Sequence, residues 1–321
     1  MQFMGYRRED GRVGVRNYVL ILPGCACASE TCRLVASEVR GTKNVIMNVG
    51  CSDVQANTDM NLRVLTGFAL NPNVFGVIVI GLGCETVGHR ELAAKIRAET
   101  SKPVVSFGIQ EIGGTVATTA AAVKAAREMV AQASEQQREP CDASDLFVAI
   151  ECGGSDATSG IASNPAVGNM SDRIVDLGGT TMMSETIEFV GAEHILAKRG
   201  ATPEIHDQII RICEDYEKHL AGVGQDCRTG QPTTGNKAGG LSTIEEKSLG
   251  CIHKGGTRPV VEVLQEAARP TKKGALIMDT PGYDISSVTS MVAGGATVVV
   301  FTTGRGTPTG HALAPVIKVT G

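Results

Sequence analysis

The chain has 321 residues, enough for two domains or one large α/β body, and it is near charge balance, with a formal net charge of −4 and 20% charged residues. So weak a field, with aromatics at only 3% and no Trp to stack bases, excludes nucleic acid as a partner. No apolar run approaches the ~18–20 residues of a membrane span. Nothing after the basic pair Arg7-Arg8 reads as the apolar core of a signal peptide, so the expected setting is the cytoplasm, away from membranes.

In chain order, residues 17–22 read as a strand, 30–40 as a helix, 44–49 as a strand and 57–70 as a helix. Residues 74–81 (VFGVIVIG) form a continuous apolar run, the mark of a strand buried on both faces. A helix over 90–99, a strand over 103–107 and a long Ala-rich helix over 112–134 follow. The polar stretch 133–145 (ASEQQREPCDASD) marks a boundary. Beyond it come a strand over 146–151, a helix over 165–177 with Pro165 in its first turn, a strand over 180–184 and an amphipathic helix over 202–221. After a polar loop at 222–236, further helices and strands at 275–279 and 297–302 complete the pattern. The expected class is α/β: two lobes of mainly parallel sheet with flanking helices, Rossmann-like. The N-terminal lobe covers 1–140, and the C-terminal lobe, which carries glycine-rich site loops, covers 145–321. The site is expected in the cleft between them.

Parallel sheets gather ligands at the carboxyl ends of their strands, so the residues after each strand matter most. There the chain places Gly50-Cys51, Gly83-Cys84-Glu85 and Cys152-Gly153-Gly154-Ser155-Asp156, with a further Gly250-Cys251 after a helix. Ten cysteines in a reducing compartment read as thiols rather than disulfides. A thiolate beside glycine amides suits a soft or borderline metal. Cys51, Cys84 and Cys251, with Cys152 as the alternative, are therefore the expected ligands of iron, as Fe2+ or as an iron–sulfur cluster with one open iron. The competing reading is simple burial, since Cys packs well in cores.

Asp156 and Glu185 are carboxylates at strand ends, suited to proton transfer or equally to helix capping, and for Glu151 capping is the favoured reading. His253 and Lys254 follow Cys251, where a lysine beside a metal cation would titrate low enough to act as a base. In TTGRGTPTG, Arg305 offers a fork for a substrate carboxylate, with the hydroxyls of Thr302 and Thr303 beside it. Ser155 and the turn holding Asn236 and Lys237 are further substrate-binding candidates. The early GRVGVR precedes its strand instead of following it, so nicotinamide binding has no support.

With GYRREDGRVGVRNYVLILP at 5–23, VIGLGCE at 79–85, ECGGSDATSGIASNP at 151–165, GNKAGGLSTIEEKSLGCIHKGG at 235–256 and FTTGRGTPTG at 301–310, the sequence resembles the altronate/galactarate dehydratase family over nearly its whole length. That family includes the large subunit of sulfolactate sulfo-lyase. Where the family commonly carries a His ahead of the first Gly-Cys motif, this chain has Met47 and Asn48. The resemblance implies a ferrous-iron lyase that removes a group β to a carboxylate from a small hydroxy acid. It also implies a separate small β-rich subunit, in place of the domain that precedes the matched region in single-chain members, and a homo-oligomer is expected as well. The rival of another class is a non-catalytic metal- or ligand-binding scaffold.

Overall fold

A computed structural model describes every residue, Met1–Gly321, as two compact units. One comprises Gln2–Cys141 with Ala312–Ala314, the other Asp142–His311 with Met1 and Pro315–Gly321.

The N-terminal unit opens with an antiparallel pair, β1 (Gln2–Arg7) and β2 (Val13–Gly14). Its main sheet holds β3 (Tyr18–Pro23), β4 (Thr42–Asn44), β5 (Val74–Gly81) and β6 (Val104–Gly108), all parallel, in the order β4-β3-β5-β6. β7 (Glu139–Asp142) extends the small sheet to β2-β1-β7. The apolar run of β5 is buried along nearly its full length, as its composition requires, between helices that include Gln55–Leu70, His89–Glu99 and Thr115–Glu135. The strand expected over 44–49 ends at Asn44. Beyond it Ile46 is 72% exposed, and the Ser29 hydroxyl bonds both the Met47 amide, at 3.1 Å, and the Met47 carbonyl, at 3.2 Å. A side chain thus serves the backbone groups that a ladder would otherwise have paired.

The C-terminal unit is built on six parallel strands: β8 (Phe147–Cys152), β9 (Thr180–Met183), β10 (Val260–Leu264), β11 (Ala275–Met278), β12 (Val298–Thr302) and β13 (Val316–Val319). Their order is β10-β11-β9-β8-β12-β13. Strand order turns back at β8 and β9, the earliest of the six in the chain, so the carboxyl ends of these strands form the natural crevice. The helix Pro203–Gly222 starts where its sequence dictates. Thr202 accepts from the Ile205 amide, Pro203 stands in the first turn, and Ile205, Ile209 and Cys213 recur every four residues on the buried face. That face joins a core with Val148, Ile150, Phe189, Val190, Leu196 and Ile277. The polar stretch expected as loop over 222–236 contains one short helix and the start of another, Cys227–Gly230 and Thr234–Ala238. Asp226 caps the first, and a Thr233/Asn236 capping box starts the second.

Candidate active site

Three segments of the C-terminal unit deliver the chemistry. β8 ends in Glu151 and Cys152, β9 runs into Ser184, Glu185 and a single helical turn Thr186–Glu188, and the helix Ile244–Ile252 carries Lys247 and Cys251. Thr243 caps that helix by accepting from the Glu246 amide at 3.2 Å. Its last turn approaches the π-helical segment Ser159–Ser163 through two glycines: a Cβ on either Gly160 or Gly250 would lie 3.0 Å from the other's Cα. From sequence, Gly250-Cys251 is expected after a helix. It lies within the helix instead, and the glycine serves this close contact.

The result is a buried cluster. The Cys152 and Cys251 sulfurs are 3.6 Å apart. Lys254 Nζ donates to Cys152 Sγ at 3.1 Å and to Glu188 Oε2 at 2.5 Å, and lies 3.9 Å from Glu185 Oε2. The Cys152 thiol donates to Glu188 Oε2 at 3.0 Å. Lys247 Nζ is 3.4 Å from the other Glu188 oxygen and donates to Gln231 Oε1 at 2.9 Å. Behind Glu185, Ser287 donates to Glu151 and bonds Ser184. Lys254 and Glu151 are fully buried, and Glu185 and Glu188 nearly so.

Burial and charge together set the protonation states. Burial pushes Glu185 well above the usual carboxylate range, and the neighbouring Glu151 and Glu188 push it further, so it keeps its proton. Glu151 is raised by burial too, against hydrogen bonds from Glu185 and Ser287 and the charge of Lys254. Burial also opposes the charge on Glu188, but the ammoniums of Lys254 and Lys247 outweigh it and hold Glu188 at about 2. For Lys254, burial favours the neutral amine, yet its acidic neighbours, chief among them the ionised Glu188 carboxylate in contact at 2.5 Å, prevail and keep it charged. The low-titrating lysine expected beside a metal cation is a different case, because here the acidic neighbours act on Lys254 without an opposing metal charge. The hydrogen bond to Cys251, then burial, lifts the Cys152 thiol well above its ordinary value.

Glu185 is one of three non-glycine residues with a positive φ, at 69°, a strain of about 1–3 kcal/mol of the kind that persists at functional positions. Its Oε2 is buried without a hydrogen-bond partner, and it makes no cap bond to the turn it precedes, so the capping alternative fails there. Asp156 does behave as a cap: it accepts from the Thr158 hydroxyl at 2.7 Å and the Thr158 and Ser159 amides at 2.9 and 3.2 Å, which holds its pKa down.

A pocket of about 240 Å3 opens against this cluster, lined by Ser155, Asp156, Ser159, Lys247, Cys251 and His253 among others. Of the residues singled out from sequence, Ser155, Asp156, Cys251 and His253 thus share one wall, with Cys152, Glu185 and Lys254 in or beside the buried cluster. Asn236 donates to the Ser155 carbonyl at 2.9 Å, and Thr302 donates to Asn164 at 2.5 Å, so both support the wall from behind. Thr303 accepts from the Gly306 amide. Gly304 is required by Asp156, whose carboxyl oxygens would lie 2.2–2.4 Å from a Cβ there. Arg305 is exposed and donates to the Gly235 carbonyl, and Lys237 is exposed; neither lines the pocket. Cys51 and Cys84 belong to the N-terminal unit, where both are exposed.

Sequence reasoning missed Glu188 and Lys247. Both had a signal: Glu188 lies three residues after Glu185 in SETIEF, and Lys247 stands at i−4 from Cys251, on one helix face.

Cys152, Glu188 and Cys251 place one donor atom each within 4.8 Å of one another, a set able to hold a metal ion. Two thiols and a carboxylate suit a borderline cation such as Fe2+ or Zn2+, and the buried, unpartnered Glu185 oxygen nearby could serve as a further donor. No helix is long and apolar enough to cross a membrane.

Comparison with known proteins places the chain in a family. The family model for the C-terminal part of D-galactarate/altronate dehydratase matches residues 143–321, and the model for the second domain of D-galactarate dehydratase/altronate hydrolase matches 5–134. The chain is 40% identical to the (2R)-sulfolactate sulfo-lyase subunit beta of Chromohalobacter salexigens, over 99% of this chain and 81% of that one. It is 37% identical to the galactarate dehydratase (L-threo-forming) of Escherichia coli and 35% to the altronate dehydratase of Bacillus subtilis, each over 99% of this chain but only 64% and 65% of theirs. Matched over nearly its whole length by two family models and these relatives, the chain belongs to the D-galactarate/altronate dehydratase family of hydro-lyases and related lyases.

Proposed function

We propose that the chain is the catalytic part of an iron-dependent lyase that eliminates water β to the carboxylate of a sugar acid such as altronate or galactarate, giving a 2-keto-3-deoxy acid. With sulfolactate as substrate the leaving group would be sulfite, and the sulfo-lyase subunit beta supports that alternative, together with a separate small partner subunit. The observation that carries the reading is the buried Cys152–Glu188–Cys251 set, with Lys254 inside it, opening on a polar pocket. A cytoplasmic setting suits that reduced thiol pair.

Cys152, Cys251 and Glu188 would hold the iron, which when bound supplies Lewis-acid stabilisation of the enolate-like charge. His253, on the pocket wall, brings an imidazole able to accept the α-proton. Lys254, locked as an ammonium behind the wall, balances the charge of Glu188, while the proton that leaves with hydroxide as water would come from the protonated Glu185 and be made good by the α-proton that His253 accepts. Glu185, protonated and in contact with Glu151, is the adjoining proton store. Ser155 and Ser159 offer hydroxyls to a polyhydroxylated substrate. A second reading follows from the 2.5 Å contact of Lys254 with Glu188: the ammonium itself is the cation of the site, and the protein works or binds without metal.

The test is anaerobically purified protein, given iron, with and without the small subunit, assayed on galactarate, altronate and sulfolactate. The lyase reading expects 2-keto acid or sulfite from at least one of them. No product from any would refute it, and activity that survives chelation would select the second reading.

A further inference from the structure

We infer that Lys247 takes the substrate's carboxylate, an assignment that rests on the lyase reading and specifies the charge the substrate must present. Lys247 lies one helical turn before Cys251, and both line the pocket. Its side chain is 10% exposed. Two contacts fix the ammonium, Gln231 Oε1 at 2.9 Å and Glu188 Oε1 at 3.4 Å, and an ammonium has three N–H donors, so one remains for a ligand.

The rest of the wall leaves an anion little choice. Asp156 is engaged by Thr158 and Ser159, and Glu246 accepts from the Ser242 amide at 2.7 Å and from its hydroxyl, so both line the pocket as anions that would repel a carboxylate set beside them. No arginine lines the pocket: the fork of Arg305 is tied to Gly235. Lys254 is fully buried behind Cys152 and Glu188. Lys247 is therefore the one lysine on the wall, and it also touches the Glu188 carboxylate of the metal-donor set. A carboxylate held there directs the adjoining carbons along the helix toward Cys251. Lys247 is a binding residue in this scheme, with Gln231 and Glu188 fixing its direction.

The experiment compares wild type with Lys247→Gln and Lys247→Met in two assays. Calorimetry measures binding of galactarate, altronate and sulfolactate to the iron-free protein, each beside its carboxamide counterpart. Kinetics on the iron-loaded protein separate KM from kcat. A lost charge-assisted contact predicts Kd and KM for the acid about 10- to 100-fold higher in both variants, with the carboxamide bound as by wild type. Equal weakening of acid and amide would mean that Lys247 merely supports Glu188, and unchanged Kd for the acid would remove it from the pocket's function; either overturns the inference. The lyase reading fails separately, if wild type binds an acid yet forms no product. If the iron-free wild type binds none of the three acids, the inference fails, while product formation by the iron-loaded protein alone decides the lyase reading.

Discussion

Replacing Lys254 by Met tests whether the buried cluster is held by charge. The substitution keeps the length of the side chain and removes the ammonium that contacts Glu188 Oε2 at 2.5 Å and Cys152 Sγ at 3.1 Å, in a place with no solvent access. Removing one partner of a buried pair costs about 3–5 kcal/mol, because the other charge is left without compensation. The lower end applies here, since Lys247 stays 3.4 Å from the second Glu188 oxygen. In a unit of this size, about 3 kcal/mol corresponds to a fall in Tm of roughly 6–12 °C. Glu188→Gln should cost less, because Glu185 lies 3.9 Å from Lys254 and can give up its proton to become the counter-ion. The double variant, which leaves neither charge, should be more stable than the sum of the two losses predicts. Urea unfolding of iron-free protein followed by circular dichroism measures all three. Wild-type stability of Lys254→Met, or strict additivity in the double variant, would refute this picture of the cluster.

Glu185→Gln replaces a carboxyl that already keeps its proton with an isosteric neutral group, so unfolding should change by less than about 1 kcal/mol while kcat falls about 10²–10⁴-fold; a large stability loss would show that Glu185 is ionised. Gly168→Ala should lower Tm despite better helix propensity, because the new Cβ would lie 2.1 Å from the His253 carbonyl, and overpacking of this kind costs about 1–3 kcal/mol; a stabilised variant would contradict the close approach. Gly304→Ala should raise KM through Asp156, whose carboxyl carbon the added methyl would meet at 2.1 Å, with kinetics and a thermal melt separating this from unfolding.

The strands of both parallel sheets were largely legible because burial on two faces leaves apolar runs such as VFGVIVIG and TVVVFT that need no tertiary information. β4 misled, since Ile46 and Val49 look like strand residues yet are exposed, with backbone bonds served by Ser29 and Ala26. β10 escaped notice because only its end residues, Val260 and Leu264, are fully buried and Glu262 interrupts the pattern. For the site, the rule that chemistry follows strand ends found Cys152, Ser155, Asp156 and Glu185. The segment CIHKGG added Cys251, His253 and Lys254, but nothing singled out Glu188, in the turn after a strand, or Lys247, on the helix that carries Cys251. The raised pKa values of Glu151 and Glu185 were equally hidden, because they depend on burial and on which charges become neighbours.

The most direct test of the central claim is the iron content of anaerobically purified variants. Cys152→Ser and Cys251→Ser should each lose most of the metal, since a serine hydroxyl, with its much higher pKa, is a poor substitute for a thiolate, whereas Cys213→Ser, in the core under the helix Pro203–Gly222, should keep it. Full iron in both Cys152→Ser and Cys251→Ser would contradict the assignment of the metal to the Cys152–Glu188–Cys251 set.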